Sequence, residues 1–155
     1  MNRDQLIDEY ATGGKALKAA VDGLQRADLL AYPVPGTWSI QEIVLHLMDT
    51  ELILADRMKR VIAEENPPLM AFNETQFARN LFYGEQSAED AVTMIELIRR
   101  NFARVLKKLP DEAFNRVGQH SERGPMKLSD LIEAANKHLK HHLGFIIDKR
   151  AKLRQ

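Results

Sequence analysis

The chain has 155 residues, and its 22 lysine and arginine side chains are balanced by 22 aspartate and glutamate side chains for a formal net charge of zero. That length suits one domain over residues 1–155, and the charge balance argues against a partner held through neutralised phosphates, so no nucleic acid is expected. Cysteine is absent, which excludes disulfides, thiolate ligands and a cysteine nucleophile; a thiol in the chemistry would have to arrive with a substrate.

The opening Met1-Asn2-Arg3-Asp4-Gln5 is charged and runs into a broken apolar pattern, unlike the apolar core of a secretory signal. No run approaches the roughly 18 apolar residues of a membrane span, so no membrane partner is expected and the cytoplasm is the expected compartment. Leu6, Tyr10, Gly13, Leu17, Val21 and Leu24 recur at spacings of three and four and predict a first helix over 2–24. Gly13-Gly14 inside it reads as the close approach of a neighbouring helix. A phosphate loop would need a preceding strand and a following Gly-Lys-Ser/Thr, and neither is present.

Pro33-Val34-Pro35-Gly36 breaks the chain, and Ser39-Ile40-Gln41-Glu42 then forms a capping box, flanked by Trp38 and Ile43 as a hydrophobic staple. The second helix is predicted to start at Ser39, run to about residue 64 and stop before Pro67-Pro68. Residues 65–86, with Phe72, Phe77, Phe82 and Tyr83, make a long connection expected to hold a short helix, its aromatics serving as lids on the core rather than as a nucleic-acid stacking platform. Ser87 caps a third helix carrying Ala88, Ala91, Ile95, Ile98, Phe102, Val105 and Leu109, and Pro110 stops it. A loop over 111–127 contains Arg116, His120, Arg123 and Gly124-Pro125, and Ser129 opens the last helix, which extends to Lys152. Four amphipathic helices without an alternating strand pattern predict an all-α fold, an antiparallel four-helix bundle with a long connection between helices 2 and 3.

The five histidines are 46, 120, 138, 141 and 142. Leu128, Leu131, Ile132, Ala135, Leu139, Leu143 and Ile146 define the buried stripe of the last helix. A helical wheel sets His142 about 40° from its centre, His138 about 80° and His141 about 140°. His138 and His142, four residues apart on one shoulder, are the spacing by which a helix offers two nitrogens to one metal ion. The competing reading is two half-buried histidines satisfied by backbone or carboxylate partners, and for this pair the two readings stand about even. A third ligand must come from elsewhere. His46 is the natural nominee, although periodicity alone slightly favours a solvated shoulder position for it. Glu51 falls among Val44, Met48, Ala55 and Met58 on an apolar face, where a carboxylate must be paired, protonated or bound. An ion pair with an arginine such as Arg99 ranks ahead of a catalytic role. His120, with Arg116 and Arg123, sits where a loop would reach the mouth of a site; a solvated loop histidine ranks ahead of anion binding or proton relay.

Trp38-Ser39-Ile40-Gln41-Glu42-Ile43-Val44-Leu45-His46-Leu47-Met48-Asp49-Thr50-Glu51, followed by His138-Leu139-Lys140-His141-His142-Leu143, resembles the DinB-like superfamily of four-helix bundles. The likeness extends over nearly the whole chain and includes the proline-rich approach to the second helix and the loop from Arg116 to Gly124. It implies a divalent metal, commonly zinc or nickel, held by three histidines, which at matching positions are His46, His138 and His142. It also implies frequent homodimers and, in some branches, transfer of a low-molecular-weight thiol such as bacillithiol or mycothiol to an electrophile. The expectation is therefore a metal-dependent thiol S-transferase or hydrolase acting on a small-molecule substrate, with Glu51 and His120 as further catalytic candidates. The alternative is a non-catalytic, metal-stabilised helical-bundle stress or interaction protein, since function does not follow from fold.

Overall fold

The computed structural model describes residues 1–154. Among the described residues there are six α-helices: α1 (Arg3–Val21), α2 (Arg26–Leu30), α3 (Ile40–Ala63), α4 (Glu74–Asn80), α5 (Ala88–Lys108) and α6 (Leu128–Lys152). Three short strands accompany them, β1 (Pro68–Leu69), β2 (Val117–His120) and β3 (Gly124–Lys127). Among the described residues no helix is long and apolar enough to cross a membrane.

The four long helices form the expected four-helix bundle, in the cyclic order α1, α5, α3, α6, though not every neighbouring pair in it is antiparallel. Contacts give the directions. Tyr10 meets Phe102 while Gly14 meets Glu96, so α1 and α5 run antiparallel. Asn136 donates to the Leu6 carbonyl and Arg150 to the Ala20 carbonyl, so α1 and α6 run parallel. His46 meets His138, and Trp38 and Ile43 share a groove with Phe145 and Lys149, which makes α3 and α6 antiparallel.

Local signals set most of the boundaries. Ser39 Oγ accepts the Glu42 amide while the Glu42 carboxylate accepts the Ser39 amide, closing both halves of the capping box. Ser87 accepts the Asp90 amide and starts α5. The first helix ends three residues earlier than periodicity predicts, because Gly23 turns the chain with φ +77° and the short α2 follows. The last helix begins at Leu128 rather than Ser129; Asp130 accepts the Lys127 amide and so caps it one residue sooner.

The small sheet was not expected. β1 pairs in parallel with β2, and β2 antiparallel with β3. Strands of two to four residues are too short to display a period of two. Their effect is to fold 117–127 back as a hairpin and tie it to the connection after α3. Arg116, expected near the site mouth, instead donates to the Val61 and Glu64 carbonyls and closes the C-terminal end of α3. The expected short helix in the long connection is α4. Phe72 and Phe77 stack there at 5.0 Å and Tyr83 is buried, whereas Phe82 is exposed.

The core falls into two apolar clusters, one above and one below a polar layer. One holds Tyr10, Leu54, Met58, Phe102 and Leu131; the other holds Leu17, Ile40, Val44, Ile95, Leu139 and Ile146. Between them lies Arg99, 1% exposed, donating to Glu51 Oε2 (2.9 Å), the Ala135 carbonyl (2.9 Å), the Tyr10 carbonyl (3.3 Å) and Asn136 Oδ1 (3.4 Å). Gly13 makes room for it, since a Cβ there would stand 2.6 Å from Arg99 Nη1. At Gly14 a Cβ would stand 2.6 Å from the Glu96 Cα, so this glycine allows the close helix approach read from the sequence.

Candidate metal centre

His46 lies on the second turn of α3, and His138 and His142 lie one turn apart on α6, where the antiparallel crossing brings the three rings together. One ring nitrogen from each falls within 4.8 Å of the other two. The Nε2 atoms of His46 and His138 are 3.0 Å apart, and the ring centroids of all three pairs lie between 4.5 and 4.9 Å. His141 is exposed on the outer face, as the wheel requires.

His46 is fully buried, not a solvated shoulder. Helix α3 is covered on most sides by α5, α6, α2 and α4, so a position off its densest apolar stripe is still inside. Trp38, the staple residue, stacks on it at 5.0 Å.

Burial holds all three imidazoles neutral. Desolvation, with repulsion from His142, pushes His46 down to about 4; desolvation and the neighbouring cationic groups bring His138 to about 3; desolvation and His141 bring His142 to about 4. Neutral imidazole is the form that ligates a metal, and each ring offers a lone pair. The Nδ1 atoms of His46 and His142 are buried without a hydrogen-bond partner. Three neutral rings that converge to within 4.8 Å, each with one lone pair to give, fit a divalent cation.

An open cleft of about 510 Å³ borders the cluster on the His138 side, walled by Thr50, Glu74, Arg57, His120, Arg123 and Lys137 among others. A more apolar groove of about 400 Å³, walled by Trp38, Ile43 and Phe145, reaches His142 from the opposite side. The residue that sequence reasoning missed is Glu74. It is the first residue of α4, and its Oε2 stands 3.6 Å from His46 Nε2 with the side chain 58% exposed. The cap at Asn73 marks the helix start, but nothing in the spacing links position 74 to position 46. Thr50, one turn after His46, is also buried beside the cleft with its hydroxyl unpaired.

Glu51 takes the ion pair expected of it, with Arg99 at 2.9 Å. Burial still raises its proton affinity, and the guanidinium opposes that shift. His120 departs from expectation. It is 8% exposed at the end of β2, and its Nδ1 accepts the amides of Glu122 (3.1 Å) and Arg123 (3.2 Å), so it is a fixed part of the cleft wall and not a solvated loop histidine.

A helical bundle with a three-histidine cluster opening on a cleft defines the class. The chain belongs to the DinB superfamily, which it matches over residues 9–146. It is 27% identical to a protein of Oceanobacillus iheyensis named a putative metal-dependent hydrolase, over 92% of this chain and 83% of that one. Its fold is similar to that of YfiT from Bacillus subtilis, described as a probable metal-dependent hydrolase with an unusual four-helix bundle topology; the TM-score is 0.90 at 20% identity, over 97% of this chain and 87% of that chain. A mycothiol-dependent maleylpyruvate isomerase shares the fold at a TM-score of 0.72 and 11% identity, over 93% of this chain and 60% of the isomerase.

Proposed function

We propose that this chain is a metal-dependent hydrolase of small molecules, with His46, His138 and His142 as the ligands of one divalent cation, zinc or nickel. The observation that carries the reading is the convergence of three neutral imidazoles at the edge of an open cleft. Three protein ligands beside an open side are the arrangement of a catalytic site, whereas a structural site closes all four positions with protein atoms. That distinction favours an enzyme over a metal-stabilised interaction module, and the names of the Oceanobacillus and Bacillus proteins support hydrolysis as the reaction class. A divalent cation held there would supply a double positive charge that polarises a substrate carbonyl or phosphoryl oxygen and acidifies an attacking water.

Glu74 is then the proton carrier. Its carboxylate is open to the cleft and close to the cluster, so Oε2 takes the proton from water and returns it to the leaving group. The Thr50 hydroxyl lies buried beside the cleft one turn after His46, with no partner of its own.

The test uses protein loaded with zinc or nickel against carboxylic esters, amides and phosphate esters, with and without bacillithiol or mycothiol. Hydrolysis lost on chelation and in His138→Ala is expected. In Glu74→Gln, kcat should fall by about 100-fold or more with metal content unchanged. Turnover that survives chelation contradicts the reading, and product that forms only with added thiol and incorporates it replaces hydrolysis with thiol transfer.

A further inference from the structure

Arg57, His120 and Arg123 share one wall of the cleft that His138 and Glu74 border. They come from different elements, Arg57 from the middle of α3 and the other two from the hairpin that the small sheet folds back onto it. Because His120 Nδ1 already accepts two backbone amides, the proton of the neutral ring belongs on Nε2, and that nitrogen has no hydrogen-bond partner among the described residues. Arg57 donates through Nη2 to the Met70 carbonyl, while its Nε–H is buried without an acceptor. All three line one cleft; burial first and then both guanidiniums lower the proton affinity of His120, and burial first and then Arg123 lower that of Arg57.

Two guanidiniums and a ring N–H gathered on a concave wall repel one another unless something negative answers them. Asp56 and Glu122 offset part of the charge on Arg57, and Glu122 lines the cleft together with Glu74, Asp130 and Glu133. Among the described residues, however, no carboxylate comes within ion-pair distance of either Arg57 or Arg123. Lys137 provides the contrast. It lines the same cleft, but Glu133 stands 2.9 Å from its ammonium and answers it within the protein.

We propose that Arg57, Arg123 and the Nε2–H of His120 form an oxyanion-binding subsite for a carboxylate or phosphate group, and that the substrate is an anionic small molecule held there while its scissile bond faces His138. Planar guanidiniums match the geometry of either oxyanion, and an imidazole N–H adds a directed donor. Assigning the anion to the substrate rests on the hydrolase reading above; the binding of an anion does not.

The experiment titrates the full chain, as purified and again after chelation, with inorganic phosphate and separately with acetate, following the His120 ring nitrogens and the Glu122 and Arg123 amides by NMR. Saturable shifts at those nuclei are expected, about tenfold weaker in Arg123→Gln, a gap of about 1.4 kcal/mol. Arg123 is exposed and makes no structural hydrogen bond with its side chain, so this variant folds. Lys137→Gln should bind as the unaltered chain does. His138→Ala should also retain anion binding, which separates this subsite from the metal reading: loss of metal with anion binding kept removes the hydrolase and leaves the subsite. Tighter phosphate than acetate assigns a phosphate-bearing ligand, and the reverse order a carboxylate. Absence of saturable shifts with both anions, or equal affinity in Arg123→Gln, overturns the proposal.

Discussion

The mid-bundle layer around Arg99 and the histidine cluster one turn away along α3 and α6 are both polar groups enclosed by apolar helices, yet one is built on an ion pair and the other on three neutral rings. Arg99 donates four hydrogen bonds to groups from α1, α3 and α6 and its charge is met by Glu51, while Glu51 Oε1 and the Tyr10 hydroxyl are buried without a partner. The histidines make one approach at hydrogen-bond distance among themselves, at 3.0 Å, with Glu74 Oε2 3.6 Å from His46, and two of their buried nitrogens have no partner. A buried charge answered inside the protein locks helices in register. Three neutral rings that bring one nitrogen each within reach of a common point have the donor set of a cation site. The first cluster reads as architecture and the second as a binding site, and four changes test the contrast.

The largest effect should come from breaking the closed layer. Arg99→Ala leaves Glu51 buried without its cation and should destabilise the fold by about 3–5 kcal/mol in urea unfolding, without altering which ligands bind metal. Gly13→Ala presses on Arg99 and Leu139 side chains and should cost about 1–3 kcal/mol in the same measurement.

The third change is acid. The folded-state proton affinities of His46, His138 and His142 lie below the ordinary value of 6.5, at about 4, 3 and 4. The unfolded chain therefore takes up protons first. Their contribution to stability is full above about pH 6.5 and declines as the pH falls through 6.5 towards 4. Metal-free protein should lose stability over that window, and His46→Ala should flatten the decline; an unchanged slope in His46→Ala would show that other groups set it. The smallest effect belongs to His141→Ala, which removes an exposed ring outside the cluster and should change stability by no more than about 0.5 kcal/mol.

Much of this contrast was legible in the residues. The capping box at Ser39 and the cap at Ser87 placed α3 and α5 because capping is local chemistry. The wheel separated His138 and His142 from His141 because α6 has a well-defined apolar stripe. The pairing of Glu51 with Arg99 followed from the cost of an unpaired carboxylate on an apolar face. Three features were not legible. Burial of His46 depends on how completely other elements cover α3, which periodicity along α3 alone does not report. The sheet is built from strands too short to carry a pattern, so the positions of His120 and Arg116 had to come from the fold. Glu74 and Arg57 join the cleft through tertiary folding across the long connection, and no spacing announces that.

The most direct test of the central claim is the metal content of protein equilibrated with zinc or nickel and then freed of excess, measured by elemental analysis. The expected result is one divalent ion per chain in the unaltered protein and in His141→Ala, with loss in His46→Ala, His138→Ala and His142→Ala. Equal metal content in all five proteins, or none in the unaltered chain, would contradict the three-histidine site.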